Sequence, residues 1–140
     1  MKPMIYKNRF KGNIEQVEIL DEGIYHNYHY AIVSLGSHPC AYIEIPKGHR
    51  YYNKVYDEIP LDCHFGLTYA NDTGILNGYN HRNGYWIGWD YAHYMDYCYY
   101  ESISDLFKEE DLDLKRWTTE EILTEVKDVI DQLVEGDNND

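Results

Sequence analysis

The chain predicts an α+β fold, an antiparallel sheet of about five strands with a C-terminal amphipathic helix packed on one face, and three observations carry that reading. Short segments rich in aromatic and β-branched residues recur between Gly, Pro, Asn and Asp clusters, as strands joined by turns do. A sustained 3.6-residue apolar period stands at the end of the sequence, where Ile122, Val126, Val129, Ile130 and Leu133 fall on one helical face. A length of 140 residues suits one domain with one sizeable core. Within that single domain, residues 1–100 read as mainly strands and loops, 101–135 as an acidic, mainly helical segment, and 136–140 as a polar tail.

In chain order, Asn13-Ile-Glu-Gln-Val-Glu-Ile-Leu20 alternates loosely and reads as a strand closed by a turn at Asp21-Glu-Gly23. Tyr28–Leu35 and Cys40–Ile45 are strands separated by Gly36-Ser-His-Pro39, a spacing that suits a hairpin with a four-residue connection. Residues 46–60 are polar, aromatic and bracketed by Pro46 and Pro60, the pattern of an ordered loop. Leu61–Tyr69 reads as a strand with Cys63, Phe65, Leu67 and Tyr69 on one face and Asp62, His64, Gly66 and Thr68 on the other. Turn-forming clusters at 71–74 and 77–84 deliver the chain into Tyr85–Asp90, a strand buried on both faces. Residues 101–114 read as a short helix followed by a loop. Trp117 anchors the final helix, which opens on a Thr118-x-x-Glu121 capping box and stops at Gly136.

Composition narrows the function classes. The formal charge is −13, and residues 101–140 hold fourteen acids against four bases, net −10, leaving −3 for the first hundred. That balance argues against direct nucleic-acid binding, which needs Lys and Arg at the phosphates, and suits a partner with a basic surface. Sixteen tyrosines supply rings that pack while their hydroxyls stay wet. Cys40, Cys63 and Cys98 are odd in number and form no Cys-x-x-Cys pair, so neither a disulfide framework nor a structural zinc site is expected. No apolar run resembles a signal peptide or a membrane span, and the expected location is the cytoplasm, away from membranes.

Two constellations could carry chemistry. His64, Asp90, His93 and Asp96 combine imidazole and carboxylate groups, and Asp90, His93 and Asp96 recur every three residues after the central strand. Such a set could hold a divalent metal or share acid and base roles in hydrolysis, which makes these four the catalytic candidates if the chain is an enzyme. Their spacing matches no strict metalloenzyme motif, and the same residues have an ordinary structural use as turn caps and backbone partners. The second constellation is the 46–57 loop, where Lys47, His49, Tyr52, Tyr56 and Asp57 could stack on a nucleotide ring and hold its phosphate. Its tyrosines could equally seal a sheet edge. His26, His29, His38 and His81 sit near turns or strand ends and are assigned no role.

Ile45-Pro-Lys-Gly-His49, Tyr56-Asp57, His64-Phe-Gly-Leu-Thr68 and Trp86-Ile-Gly-Trp-Asp-Tyr-Ala-His93 together resemble a family of small uncharacterised proteins from bacteriophages and prophages. The resemblance covers about residues 40–97. It departs from that pattern at Arg50, where the family tends to proline, and at Phe65 and Met95, where it has glycine. If those glycines make room beside the histidine and aspartates, Phe65 and Met95 would fill it. The resemblance implies phage origin more than chemistry.

Joined to the charge, it implies a counter-defence, anti-CRISPR-like protein that inhibits a host immune protein such as a CRISPR effector or another nuclease. The docking surface expected for that role is Asp105, Glu109, Glu110, Asp111 and Asp113, with Tyr97, Tyr99 and Tyr100 as apolar anchors. No cofactor is assumed for this role, and a divalent metal belongs to the hydrolase alternative. The alternatives are a metal-dependent hydrolase using His64, Asp90, His93 and Asp96, and a nucleotide-binding sponge using the 46–57 loop.

Overall fold

A computed structural model describes residues 3–8, 13–34, 38–72, 84–91 and 117–138, with side chains described between residues 19 and 136 of those segments. Six strands, β1 (Pro3–Asn8), β2 (Asn13–Tyr25), β3 (Tyr28–Ser34), β4 (Pro39–Ile45), β5 (Tyr69–Asn71) and β6 (Tyr85–Asp90), form one antiparallel sheet in the order β1-β2-β3-β4-β6-β5. The helix α1 (Thr119–Asn138) packs across β2, β3 and β4, so the α+β architecture expected from the sequence is the one observed.

The helix forms where its signals place it. Glu121 N–H donates to Thr118 Oγ1 at 3.2 Å and Thr118 N–H donates back to Glu121 Oε1 at 3.1 Å, a reciprocal capping box. Ile122, Val126, Val129, Ile130 and Leu133 are fully buried against one sheet face with Ile32, Ile43, Ile87 and Trp89. The helix runs past Gly136 to Asn138, two residues further than expected. The guanidinium of Arg50 donates to the Gly136 carbonyl oxygen at 2.5 Å, satisfying an acceptor that the helix end leaves open.

Alternation along the strands gives the other sheet face to Ala31, Val33, Cys40, Tyr42 and Trp86, a second buried cluster that includes Ile19. The two faces explain why β3, β4 and β6 read as nearly continuous apolar runs.

Two expectations are corrected, and one strand is added that the sequence did not predict. Asp21-Glu-Gly23 is not a turn: β2 continues to Tyr25, with a bulge between Ile19 and Asp21, and reverses at His26 and Asn27, both at positive φ (48° and 69°). Two consecutive positive φ values define the twist-matched two-residue hairpin turn, and Asn tolerates them well. Gly23 serves a close approach instead, since a Cβ there would sit 2.8 Å from the hydroxyl of Tyr30, its register partner.

Leu61–Tyr69 forms a strand only at its end. Residues 61–68 are irregular, because Phe65 (φ 57°) and Gly66 (φ 83°) turn the chain, with Gly66 N–H donating to the Cys63 carbonyl at 2.9 Å. The N-terminal edge strand β1 carried no strand signal; Pro3 opens it, where a missing N–H costs an edge strand little. The helix and loop expected over 101–114 lie outside the described residues.

Phe65 stands beside His64, its ring meeting that ring edge-on at 4.8 Å, but it is 62% exposed and so fills no enclosed space there. The left-handed backbone is a sufficient reason for glycine to suit this position. Phe65→Val should therefore cost about 1–2 kcal/mol through β-branching at positive φ, whereas Phe65→Gly should leave the denaturant midpoint nearly unchanged. Equal losses for the two variants would show that the ring, not the backbone, matters.

Candidate functional site

The residues at the end of β6 and just after it sort to opposite sides of the sheet. Trp89 and Tyr91 face α1, where Glu125 Oε1 accepts the indole N–H of Trp89 at 3.2 Å and the hydroxyl of Tyr91. Burial and that carboxylate hold the Tyr91 hydroxyl well above the usual tyrosine range. His64 lies flat on Tyr91, with ring centroids 4.7 Å apart and planes 13° apart, and Trp117 closes over both at 4.9 and 5.0 Å. The Gln132 side-chain amide adds a two-bond clasp to the Asp62 backbone, 2.8 Å each way. His64 is thus one layer of an aromatic stack that fastens the 61–68 loop to the helix.

Asp90 belongs to the other face. It pairs with Cys40 in the β4–β6 register and accepts the Thr68 hydroxyl at 3.3 Å. His64 and Asp90 are therefore not brought together, while His93 and Asp96 lie outside the described residues. Among the described residues no group of three or more His, Cys, Asp and Glu side chains could hold a metal ion.

What gathers around Asp90 is a cavity of about 210 Å³ lined by His38, Cys40, Tyr42, Thr68, Tyr69, Trp89 and the aspartate itself. Gly88 makes room for one of its walls: the strand position opposite Tyr42 has no side chain, and a Cβ there would lie 2.5 Å from the Tyr42 ring and 2.7 Å from the Ala41 carbonyl oxygen. Tyr42 can therefore reach across β6 to meet Tyr69 edge-on, centroids 5.4 Å apart at 84°. Burial first, then the neighbouring Cys40 and Tyr69, hold the Tyr42 hydroxyl well above its ordinary pKa, so it stays protonated. From the sequence, none of these partners was assigned a role beside Asp90. The small residue at Gly88 in the middle of a buried strand was the available signal.

The 46–57 loop is folded onto the core through successive turns and a short 3-10 turn at Tyr56–Glu58. Tyr52 packs against Tyr85 at 5.6 Å, and Tyr85 donates its hydroxyl to the Lys54 carbonyl. His49 Nδ1 accepts the Tyr51 N–H at 3.1 Å and its ring faces Tyr28 and Tyr51. Lys47, Tyr56 and Asp57 are exposed. The loop thus closes the end of the sheet with Tyr51 and Tyr52, while Lys47, Tyr56 and Asp57 stand on its outer side.

Burial, with Glu125 and Asp62 adding, pushes the Cys63 thiol up to about 12. A folded value above the usual 9 means this group favours the native state below pH 9 and ceases to do so as pH rises toward 12. Alkylation of Cys63, followed by peptide mapping, should consequently keep accelerating between pH 9 and 12. A rate that levels off near pH 9 would contradict the placement.

The acidic surface expected at Asp105, Glu109, Glu110, Asp111 and Asp113, with Tyr97, Tyr99 and Tyr100, lies outside the described residues. A second acidic surface is described. Glu120, Asp128, Asp131 and Glu135 share the solvent face of α1, and Lys127 is the helix's single base. At 1.5 Å per residue this ridge extends about 22 Å. One end of the β2–β3 hairpin leans on it, with His26 Nε2 3.7 Å from Asp131 and Lys127 Nζ over the Tyr25 ring at 5.5 Å.

Searches against family models, curated proteins and solved structures return no match for this chain. Among the described residues, no helix is long and apolar enough to cross a membrane.

Proposed function

We propose that the protein is a phage counter-defence factor that binds a host nucleic-acid-targeting immune protein, such as a CRISPR effector or another nuclease, and occupies its basic nucleic-acid surface. The observation that supports this reading best is the acidic ridge of α1. Four carboxylates stand in a row on a rigid element whose opposite face is locked into the core, so the charges are held in place at little entropic cost on binding. With a net charge of −13 behind it, such a row repels nucleic acid and attracts the Lys and Arg groups that bind it. Host cytoplasm is the compartment in which this would operate.

The test is the quadruple variant Glu120→Gln, Asp128→Asn, Asp131→Asn and Glu135→Gln, assayed at low and moderate salt for inhibition of a nuclease that the parent protein captures from host lysate. Inhibition should weaken by at least about tenfold, with a flatter salt dependence, because long-range charge acts mainly on the association rate and is screened. A parallel variant neutralising Asp105, Glu109, Glu110, Asp111 and Asp113 measures the share of the 105–113 segment. Undiminished inhibition with unchanged salt dependence in both variants would sink the proposal.

A further inference from the structure

The cavity beside Asp90 is separate from the acidic ridge, on the opposite face of the sheet, and its chemistry is more specific than net charge. We propose that it is a binding site for a planar organic cation, an alkyl guanidinium, with Asp90 as its counter-ion and Tyr42 and Tyr69 as its aromatic walls.

The lining selects the sign of the ligand first. A carboxylate, three hydroxyls and the imidazole of His38 are present, and among the described lining residues there is no Lys or Arg, so a phosphate or carboxylate ligand would meet the Asp90 charge with no guanidinium or ammonium beside it. Tyr42 and Tyr69 both line the cavity with their rings nearly perpendicular, at 84°, and a cation that meets the face of either ring is attracted by its quadrupole.

Shape then favours guanidinium over ammonium. A guanidinium is flat, stacks on aromatic faces and is weakly hydrated, so it enters a part-buried aromatic corner at lower desolvation cost than a compact ammonium. It can also present two parallel N–H donors to one carboxylate. Asp90 is held for this: Thr68 Oγ1 donates to its Oδ2, and Thr68 is itself fixed by its N–H donating to the Gly88 carbonyl at 3.0 Å. A carboxylate offers about four lone-pair sites, so it can accept from Thr68 and from a ligand together.

The volume of about 210 Å³ accommodates a guanidinium with part of its alkyl stem but not a nucleotide. Half-buried His38, Tyr69 and Asp90 and exposed Thr68 form the rim, while Cys40 and Tyr42 form the floor. A guanidinium reaches such a site either as a free small molecule or on the arginine of a protein. This inference does not require the proposed immune partner, because the ligand can be offered by itself.

The experiment is titration of the intact protein with N-acetyl-arginine methylamide, followed by calorimetry or by amide shifts at residues 40, 68 and 90. The matched probes are the lysine analogue and the citrulline analogue, which keeps the shape of arginine but replaces the cation by a neutral urea. The expected result is saturable binding of the arginine probe, at least tenfold weaker binding of both analogues, and at least a tenfold loss in Asp90→Asn. Because the selectivity is read on the unaltered chain, it stands even if Asp90→Asn folds poorly. Ethylguanidine binding as tightly as the arginine probe would support a free guanidino compound as ligand, and tighter binding of an arginine-centred peptide would support a protein side chain. No saturable binding of the arginine probe, equal binding of the citrulline analogue, or undiminished binding by a folded Asp90→Asn would each overturn the proposal.

Discussion

Val126→Asp should lower stability by about 4 kcal/mol or more, enough to unfold much of the protein at moderate temperature. Val126 is completely buried at the centre of the α1 stripe, between Ile122 and Ile130 on its own helix and the aliphatic layer of β3, β4 and β6. A carboxylate there loses its water and gains no positive partner in that cluster, so the penalty is desolvation of an unpaired charge. Val126→Ala separates this from simple loss of volume, which should cost roughly 2 kcal/mol. The aspartate's folded-state pKa would be raised, so its contribution should be least harmful below its unfolded value near 4 and grow as pH rises through the folded value. The gap in melting temperature between variant and parent should therefore narrow on acidification. A constant gap, or an unchanged melting temperature at neutral pH, would mean that the helix does not pack as described.

Gly88→Ala should destabilise by about 1–3 kcal/mol, a large effect for one methyl group. Its Cβ would need space already held by the Tyr42 ring and by the Ala41 carbonyl oxygen, each closer than 3 Å. The ring can swing aside; the carbonyl belongs to the β4 backbone and cannot move without disturbing the ladder. The two contributions separate in a double-mutant cycle with Tyr42→Ala. Removing the ring should recover part of the loss and leave the backbone part, and the cavity beside Asp90 should change shape with Tyr42. Full recovery would assign the whole clash to the ring, and no loss at all in Gly88→Ala would remove the explanation given for that glycine.

The legibility of the fold in the sequence follows from where each signal resides. Local, redundant signals read correctly: the capping box at Thr118 and Glu121, the five buried positions of α1, and the central strand from Tyr85 to Asp90. Signals that depend on a partner did not. Gly23 resembles a turn residue until Tyr30 is placed across from it, and the true reversal at His26 and Asn27 carries no glycine. Phe65 hides a left-handed turn because the residue type argues for a strand.

The site was less legible than the fold for a related reason. Spacing put Asp90 near a histidine, but a strand sends Trp89 and Asp90 to opposite faces, and His64 follows Tyr91 to the helix side. Tyr42 and Thr68 reach Asp90 through strand pairing and a loop that no sequence period encodes.

The measurement closest to the central claim is a competition experiment on the proposed immune partner. Labelled nucleic acid substrate bound to that partner should be displaced by the protein at stoichiometric concentrations, with displacement weakening as salt is raised and failing when the α1 ridge is neutralised. A stable ternary complex of partner, nucleic acid and this protein, insensitive to salt and to the four ridge substitutions, would contradict the account.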